Sequence, residues 1–372
     1  MKRNNKMRKR VLSIILAAAL GMTTISGCAS NNVPQQSSNT ESESVAADDS
    51  SRIVVDSLGR EVAIPNEITK VIPTGQLAQI MLLSLCPDMM VALASEWDEQ
   101  AKQYIAADVE ALPVVGQLYG GKSDFNLESI LAVKPDLIID VGTEKKGMSE
   151  DMDALCEQVG IPFVHIDGSL EKLPESYRLL GDILGKVDEA EERAVYAESM
   201  NTRFDEIASQ ITPINALLIT GSEGLNVIPK GSYQGEAFDK FANNLAVVEE
   251  PSTKGTGNEV DMEQILTWNP DVIIYLPETT DASVFEDDTW QEINAVKNNA
   301  VYPVPYGPYD WLGFPASIQR YLGMMWMVDT FYPKEADSKL HDEVRKYYKM
   351  FYGYDLSMDQ FDVIISGTSF TK

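Results

Sequence analysis

The sequence predicts two similar α/β lobes joined by a long rigid helix, with a ligand cleft between the lobes. Three observations carry this expectation. A fourteen-residue motif recurs 135 positions apart, each copy ends in a continuous apolar run, and a long amphipathic stretch lies between the copies. Continuous Leu, Val and Ile runs suit parallel strands covered on both faces. Two copies of one motif at so wide a spacing imply two lobes and not a short-period solenoid.

The chain opens with six cations, Lys2, Arg3, Lys6, Arg8, Lys9 and Arg10, followed by an uncharged run from Val11 to Gly21 and then Ile25-Ser26-Gly27-Cys28. A charged start, an apolar run and small residues before a cleavage point form an export signal. The run is too short for a spanning helix, which needs about 20 apolar residues. The four residues ending at Cys28 resemble the bacterial lipobox, which implies cleavage before Cys28 and a diacylglycerol on its sulfur. Residues 1–27 thus read as a signal peptide. Two acyl chains anchor durably where one binds only marginally. Residues 28–51 are Ser, Asn, Gln, Glu and Asp with almost no bulky apolar residue. Such a segment buries too little surface to fold, and it reads as a tether.

The first lobe is expected over 52–172 and the second over 213–372, with connecting helices at 173–212. The motif copies are Asn126–Ile139 (NLESILAVKPDLII) and Asp261–Ile274 (DMEQILTWNPDVII), identical at seven of fourteen positions. Chance gives about one. Each copy reads as a cap (Asn126, Asp261), a short amphipathic helix, a proline stop (Pro135, Pro270) and a buried strand. Between them, Pro174–Leu184 carries Leu179, Leu180, Ile183 and Leu184 on one face and stops at Gly185. A second helix is expected to start with Asp188 as its cap and Glu191 completing the box. Its apolar positions Ala194, Ala197, Phe204, Ile207, Ala208 and Ile211 run at three–four spacing to Thr212 and Pro213. About 22 residues at 1.5 Å each give a rod of roughly 33 Å.

The 372 residues carry a net charge of −27, which becomes −33 once residues 1–27, with six cations and no acid, are removed. So acidic a body excludes nucleic acid and anionic lipid surfaces as direct partners. Past Cys28 only Cys86 and Cys156 remain, both in apolar helical contexts. Buried free thiols are expected there, not a disulfide. The two histidines, His165 and His341, are far apart in sequence, which offers little to a His-based metal site or triad. The chain has no Gly-x-Ser-x-Gly elbow, no His-Glu-x-x-His and no phosphate loop, and Gly255-Thr256-Gly257 reads as an ordinary loop. Neither catalysis nor a cofactor is expected.

In this order the motifs resemble the class III, helical-backbone substrate-binding proteins of ABC importers, whose members receive ferric siderophores, haem, vitamin B12 and some oxyanions. The resemblance runs from about Arg52 to the end. It is carried by Val54–Pro65 (VVDSLGREVAIP), the two motif copies, the connecting helix, Trp290–Tyr302, Gly307–Trp311 (GPYDW) and Tyr347–Leu356. It implies a monomeric receptor that captures a small molecule and hands it to a permease dimer. It also gives Glu128 and Glu263, which hold matched places in the two motifs, the role of pairing with arginines on the two permease subunits. The helix dipole alone favours a carboxylate in that first turn by about 0.3–1 kcal/mol, but would accept Asp or a neighbouring position equally well.

In α/β lobes ligands meet the loops beyond the carboxyl ends of the strands. Those loops hold Trp97, Tyr119 and Lys122 in the first lobe and Lys230, Tyr233, Tyr309 and Trp311 in the second, the candidate ligand-binding residues. Aromatic loops suit a flat or bulky chelate with a few orienting polar groups. The loops hold lysines but no arginine before Arg320, which is expected to pack or pair with an acid. Anion clamps prefer arginine's planar fork. A ferric chelate, siderophore or haem, is therefore the first expectation, with a corrinoid or a molybdate-like oxyanion as alternatives. A surface adhesin or scaffold fits the anchor and tether but explains neither the paired glutamates nor the aromatic loops. Ala29 after the lipidated cysteine favours the outer face of a single-membrane cell, where the lipid is the only membrane contact.

Overall fold

A computed structural model describes residues 50–119, 125–252, 255–336 and 339–366. Cys28 and Lys122 lie outside them. After an antiparallel hairpin, Ser51–Val55 with Glu61–Pro65, the first lobe centres on three parallel strands in the order Val71–Pro73, Leu137–Gly142, Phe163–Asp167. The second lobe repeats the plan. Its parallel strands Ile214–Thr220, Val272–Tyr275 and Val301–Pro303 lie side by side with Val272–Tyr275 in the middle. Shorter strands extend that sheet to six.

The two motif copies fold alike and supply the central strand of each lobe. The Asn126 side chain accepts the Ser129 amide at 2.9 Å, and Asp261 accepts that of Gln264 at 2.8 Å. Helices Leu127–Val133 and Met262–Trp268 follow, each closed by a left-handed residue, Lys134 at φ 50° and Asn269 at φ 41°. Ile130 and Ile265 are fully buried beneath them. Each helix covers the outer face of its sheet over a small core of its own. The inner faces of both sheets share one larger core with the connecting helices.

The connection is a pair of helices, Leu173–Leu184 and Val187–Gln210. The second has 24 residues and buries Ala194, Ala197, Phe204 and Ile207, as the spacing predicts, together with Ala190 and Met200, while Ala208 and Ile211 are only partly buried. Its start differs from expectation. Lys186 is the cap residue and provides no side-chain bond, because the Lys186 amide turns back onto the Gly181 carbonyl at 2.9 Å and begins the helix early. Glu191, freed from a capping box, pairs with Arg178 at 2.7 Å, and Glu198 joins them at 2.6 Å. The helices cross so closely that a Cβ on Gly181 would lie 2.3 Å from that of Ala190. Cys86 and Cys156 are free; the first is buried and the second partly so. Burial pushes the Cys86 thiol up to about 12, which leaves it inert. No helix among the described residues is long and apolar enough to cross a membrane.

Candidate functional site

The site grows from loops at the carboxyl ends of the parallel strands, where the lobes face one another. In the first lobe, Gln79 braces the loop ahead of Trp97. Its Oε1 accepts the Ala94 and Ser95 amides at 2.7 and 3.1 Å. Trp97 follows, only 4% exposed, and then Asp98, which accepts the Ala101 amide at 2.7 Å. The Tyr306 hydroxyl reaches across from the second lobe and donates to the other oxygen of Asp98. The rings of Trp97 and Tyr309 meet with centroids 5.8 Å apart. The lobes therefore touch directly at this edge.

The loop from Val304 to Phe314 is shaped from within. The Trp311 indole donates to the Gly307 carbonyl at 3.1 Å, and the Tyr348 hydroxyl donates to the same oxygen. Asp310 Oδ1 accepts three backbone amides, those of Leu312 at 2.8 Å, Gly313 at 2.7 Å and Phe314 at 3.2 Å. Its Oδ2 is buried and meets no hydrogen-bond donor. Burial lifts this carboxyl to about 7 even against the three amides, which hold it down. Glu278 leaves the end of the adjacent strand Val272–Tyr275. Its side chain still reaches solvent, yet the walls around it, and then the charges of Asp310 and Asp98, raise it to about 8.

A second junction ties the lobes. Arg320 is fully buried and donates to Gly168 O at 2.6 Å, Ser317 O at 3.0 Å and Glu236 Oε2 at 2.6 Å. Glu236 also accepts the Leu170 amide at 3.1 Å. The guanidinium lies 4.8 Å over the Tyr233 ring. The Tyr233 hydroxyl sits 2.9 Å from both Gly168 O and Ala316 O, with one proton to share between them. Burial pushes that phenol up to about 12.

The candidate ligand residues therefore separate. Trp97 and Tyr309 are brought together across the lobes, and Tyr233 stands at the second junction. Trp311 is fully buried and packs beneath the loop surface. Lys230 turns away to Asn243 Oδ1 at 3.2 Å. Tyr119 is half-buried, with the Lys145 ammonium 4.8 Å from its ring centroid. Glu128 and Glu263 are both exposed. The sequence reading did not single out Asp98, Gln79, Glu278 or Asp310, since isolated acids and amides in loops carry no periodic signal. It also missed a buried relay in the first lobe. Asp140 accepts from Thr74 with one oxygen and lies 2.7 Å from His165 Nδ1 with the other.

Residues 83–306 match the family described as periplasmic binding protein, and the chain belongs to that family. Its class is the solute-binding protein of an ABC transporter, a transport component and not an enzyme. Among curated relatives, the molybdate-binding protein MolA of Haemophilus influenzae is 26% identical, with 81% of this chain and 91% of that protein covered. The Fe(3+)-citrate-binding protein YfmC of Bacillus subtilis is 24% identical, with 78% and 87% covered. Among solved structures, an ABC transporter solute-binding protein from Sulfurospirillum deleyianum superposes with a TM-score of 0.77 at 25% identity, over 85% of this chain and 99% of its own.

Proposed function

We propose that this protein is a lipid-anchored receptor, tethered through Cys28 on the outer face of the cell membrane. In this reading it captures an iron chelate, a siderophore or haem, and delivers it to an ABC permease dimer through Glu128 and Glu263. The observation that carries the ligand class is the set of buried polar atoms without partners where the lobes meet. Ser95 Oγ, Trp97 Nε1 and Asp310 Oδ2 all lie buried with no hydrogen bond. Buried polar groups in native proteins are nearly always bonded, so such a cluster suits a site completed by a ligand. Aromatic walls with a few orienting polar atoms favour a bulky chelate over a small ion. The relative of known name that binds ferric citrate supports the same reading. Molybdate is the second reading, favoured by the likeness to MolA. The carboxyl groups of Glu278 and Asp310 at this edge weigh against an anion, because they offer it no cation to pair with.

The test is a binding screen of the purified protein against ferric hydroxamates, haem, cobalamin and molybdate. Tryptophan fluorescence and thermal denaturation are the two readouts. An iron chelate at a hundred times its dissociation constant should stabilise the fold by about 2.7 kcal/mol and quench Trp97. Molybdate binding with indifference to every iron chelate would reverse the assignment. The anchor is checked separately by the mass of the membrane-extracted protein. A chain that starts at Cys28 without a diacylglyceryl group would remove it.

A further inference from the structure

Asp98, Glu278 and Asp310 lie in the loops of the junction where Trp97 meets Tyr309, and none forms an ion pair with a lysine or arginine among the described residues. Glu278 and Asp310 leave neighbouring parallel strands, whose register pairs Tyr275 with Pro303. The cross-lobe bond from Tyr306 brings Asp98 to the same loop. Asp310 is 1% exposed. Its Oδ1 is fully used by three amides, while its Oδ2 is buried with no donor to meet. Trp97 Nε1 is likewise buried and unbonded, in the ring that meets Tyr309.

A buried carboxylate oxygen without a donor is unstable in isolation. Fold stability alone would place an amide or an apolar residue there. The arrangement makes sense if a ligand brings the missing donor. A bare metal ion does not fit, since the described residues contain no cluster of three or more metal-binding side chains. Carboxylates with aromatic rings beside them fit an organic cation, which the acids bond directly and the rings tolerate.

We propose that Asp310 and Glu278 form a subsite for a cationic nitrogen, an ammonium or guanidinium carried on the periphery of the ligand. This rests on the iron-chelate reading and sharpens it: the ligand is a chelate with a basic arm, and anionic chelates are disfavoured.

The experiment compares ferrioxamine B, which ends in a primary ammonium, with its N-acetyl derivative, identical at the iron and neutral at that end. Ferric citrate serves as the anionic probe. Dissociation constants are measured by fluorescence quenching for the full chain and for the variants Asp310→Asn and Glu278→Gln. Circular dichroism establishes that each variant is folded. The expected result is that the ammonium form binds at least about tenfold tighter than the acetylated form, the size of one charge-assisted hydrogen bond. Each variant should bring the two probes to within about threefold of each other. Equal binding of both forms by the unaltered protein, or a preference that survives in both variants, overturns the subsite and leaves the iron-chelate reading intact. Tighter binding of ferric citrate likewise overturns the subsite alone. Binding of none of the three overturns both.

Discussion

Asp310 shows how one side chain can link stability to occupancy. Burial raises its carboxyl to about 7, far above the ordinary carboxylate range, despite three amides that favour the charged form. A group whose folded pKa is raised holds its proton longer in the native state than in the unfolded chain. Its contribution to folding is therefore most favourable at low pH and is lost as pH rises from about 4 toward about 7. Glu278, raised by enclosure and by Asp310, pushes in the same direction. An asparagine at position 310 keeps an oxygen for the three amides and cannot ionise. The ligand-free Asp310→Asn variant should thus gain stability over the unaltered protein as pH rises from 4 to 8, with little difference at pH 4. Urea denaturation across that range is the measurement. A difference that does not change with pH would show that Asp310 is not titrating in the folded state. Arg320 is just as buried, yet it meets carbonyl and carboxylate acceptors on Gly168, Ser317 and Glu236.

At the scale of elements, legibility followed periodicity. The two motif copies announced their caps, their proline stops and their central strands, because each is a local pattern. The buried face of Val187–Gln210 was equally visible in its three–four spacing. The start of that helix was not, because it is set by the backbone turn that closes Leu173–Leu184 and not by the side chains of Asp188 and Glu191. Polar residues were harder still. Trp311 and Tyr309 stood out as aromatics in a loop, but nothing local says that Trp311 faces inward to Gly307 while Tyr309 meets Trp97. The joining of Arg320 to Gly168 spans 152 positions, and that of Asp98 to Tyr306 spans 208. Contacts of that separation exist only once the lobes have come together, so no window of sequence contains them. Composition hid the acids in the same way, since an excess of charge on the whole chain masks the two or three carboxylates that sit in a site.

At the scale of the molecule, the fused inner core and the 24-residue helix limit how the lobes can move. A stiff connection suits a receptor that presents a fixed face to its transporter. The outer helices Leu127–Val133 and Met262–Trp268 offer such a face. Each is capped alike, buries one isoleucine alike and exposes one glutamate in its first turn. Exposed Leu131 and Leu266 repeat the correspondence one turn further on. If the dipole of each helix were the only reason for its glutamate, reversing the charge would reduce stability by about 0.6–2 kcal/mol per site, twice the value of one charge there, and do nothing else. If the pair docks on a two-fold partner, the two contacts act together, because the second forms at high effective concentration once the first has formed. Reversing Glu128 alone or Glu263 alone to Arg should then weaken permease binding, and reversing both should abolish it and stop uptake. Ligand affinity should remain within about twofold in all three variants, since neither residue is among the candidate ligand-binding residues. Binding to the permease in lipid nanodiscs, measured beside ligand titrations of the same preparations, separates the two accounts. Undiminished permease binding by the double variant would leave the glutamates as helix-capping charges only, while a collapse of ligand affinity would move them from the docking face to the fold.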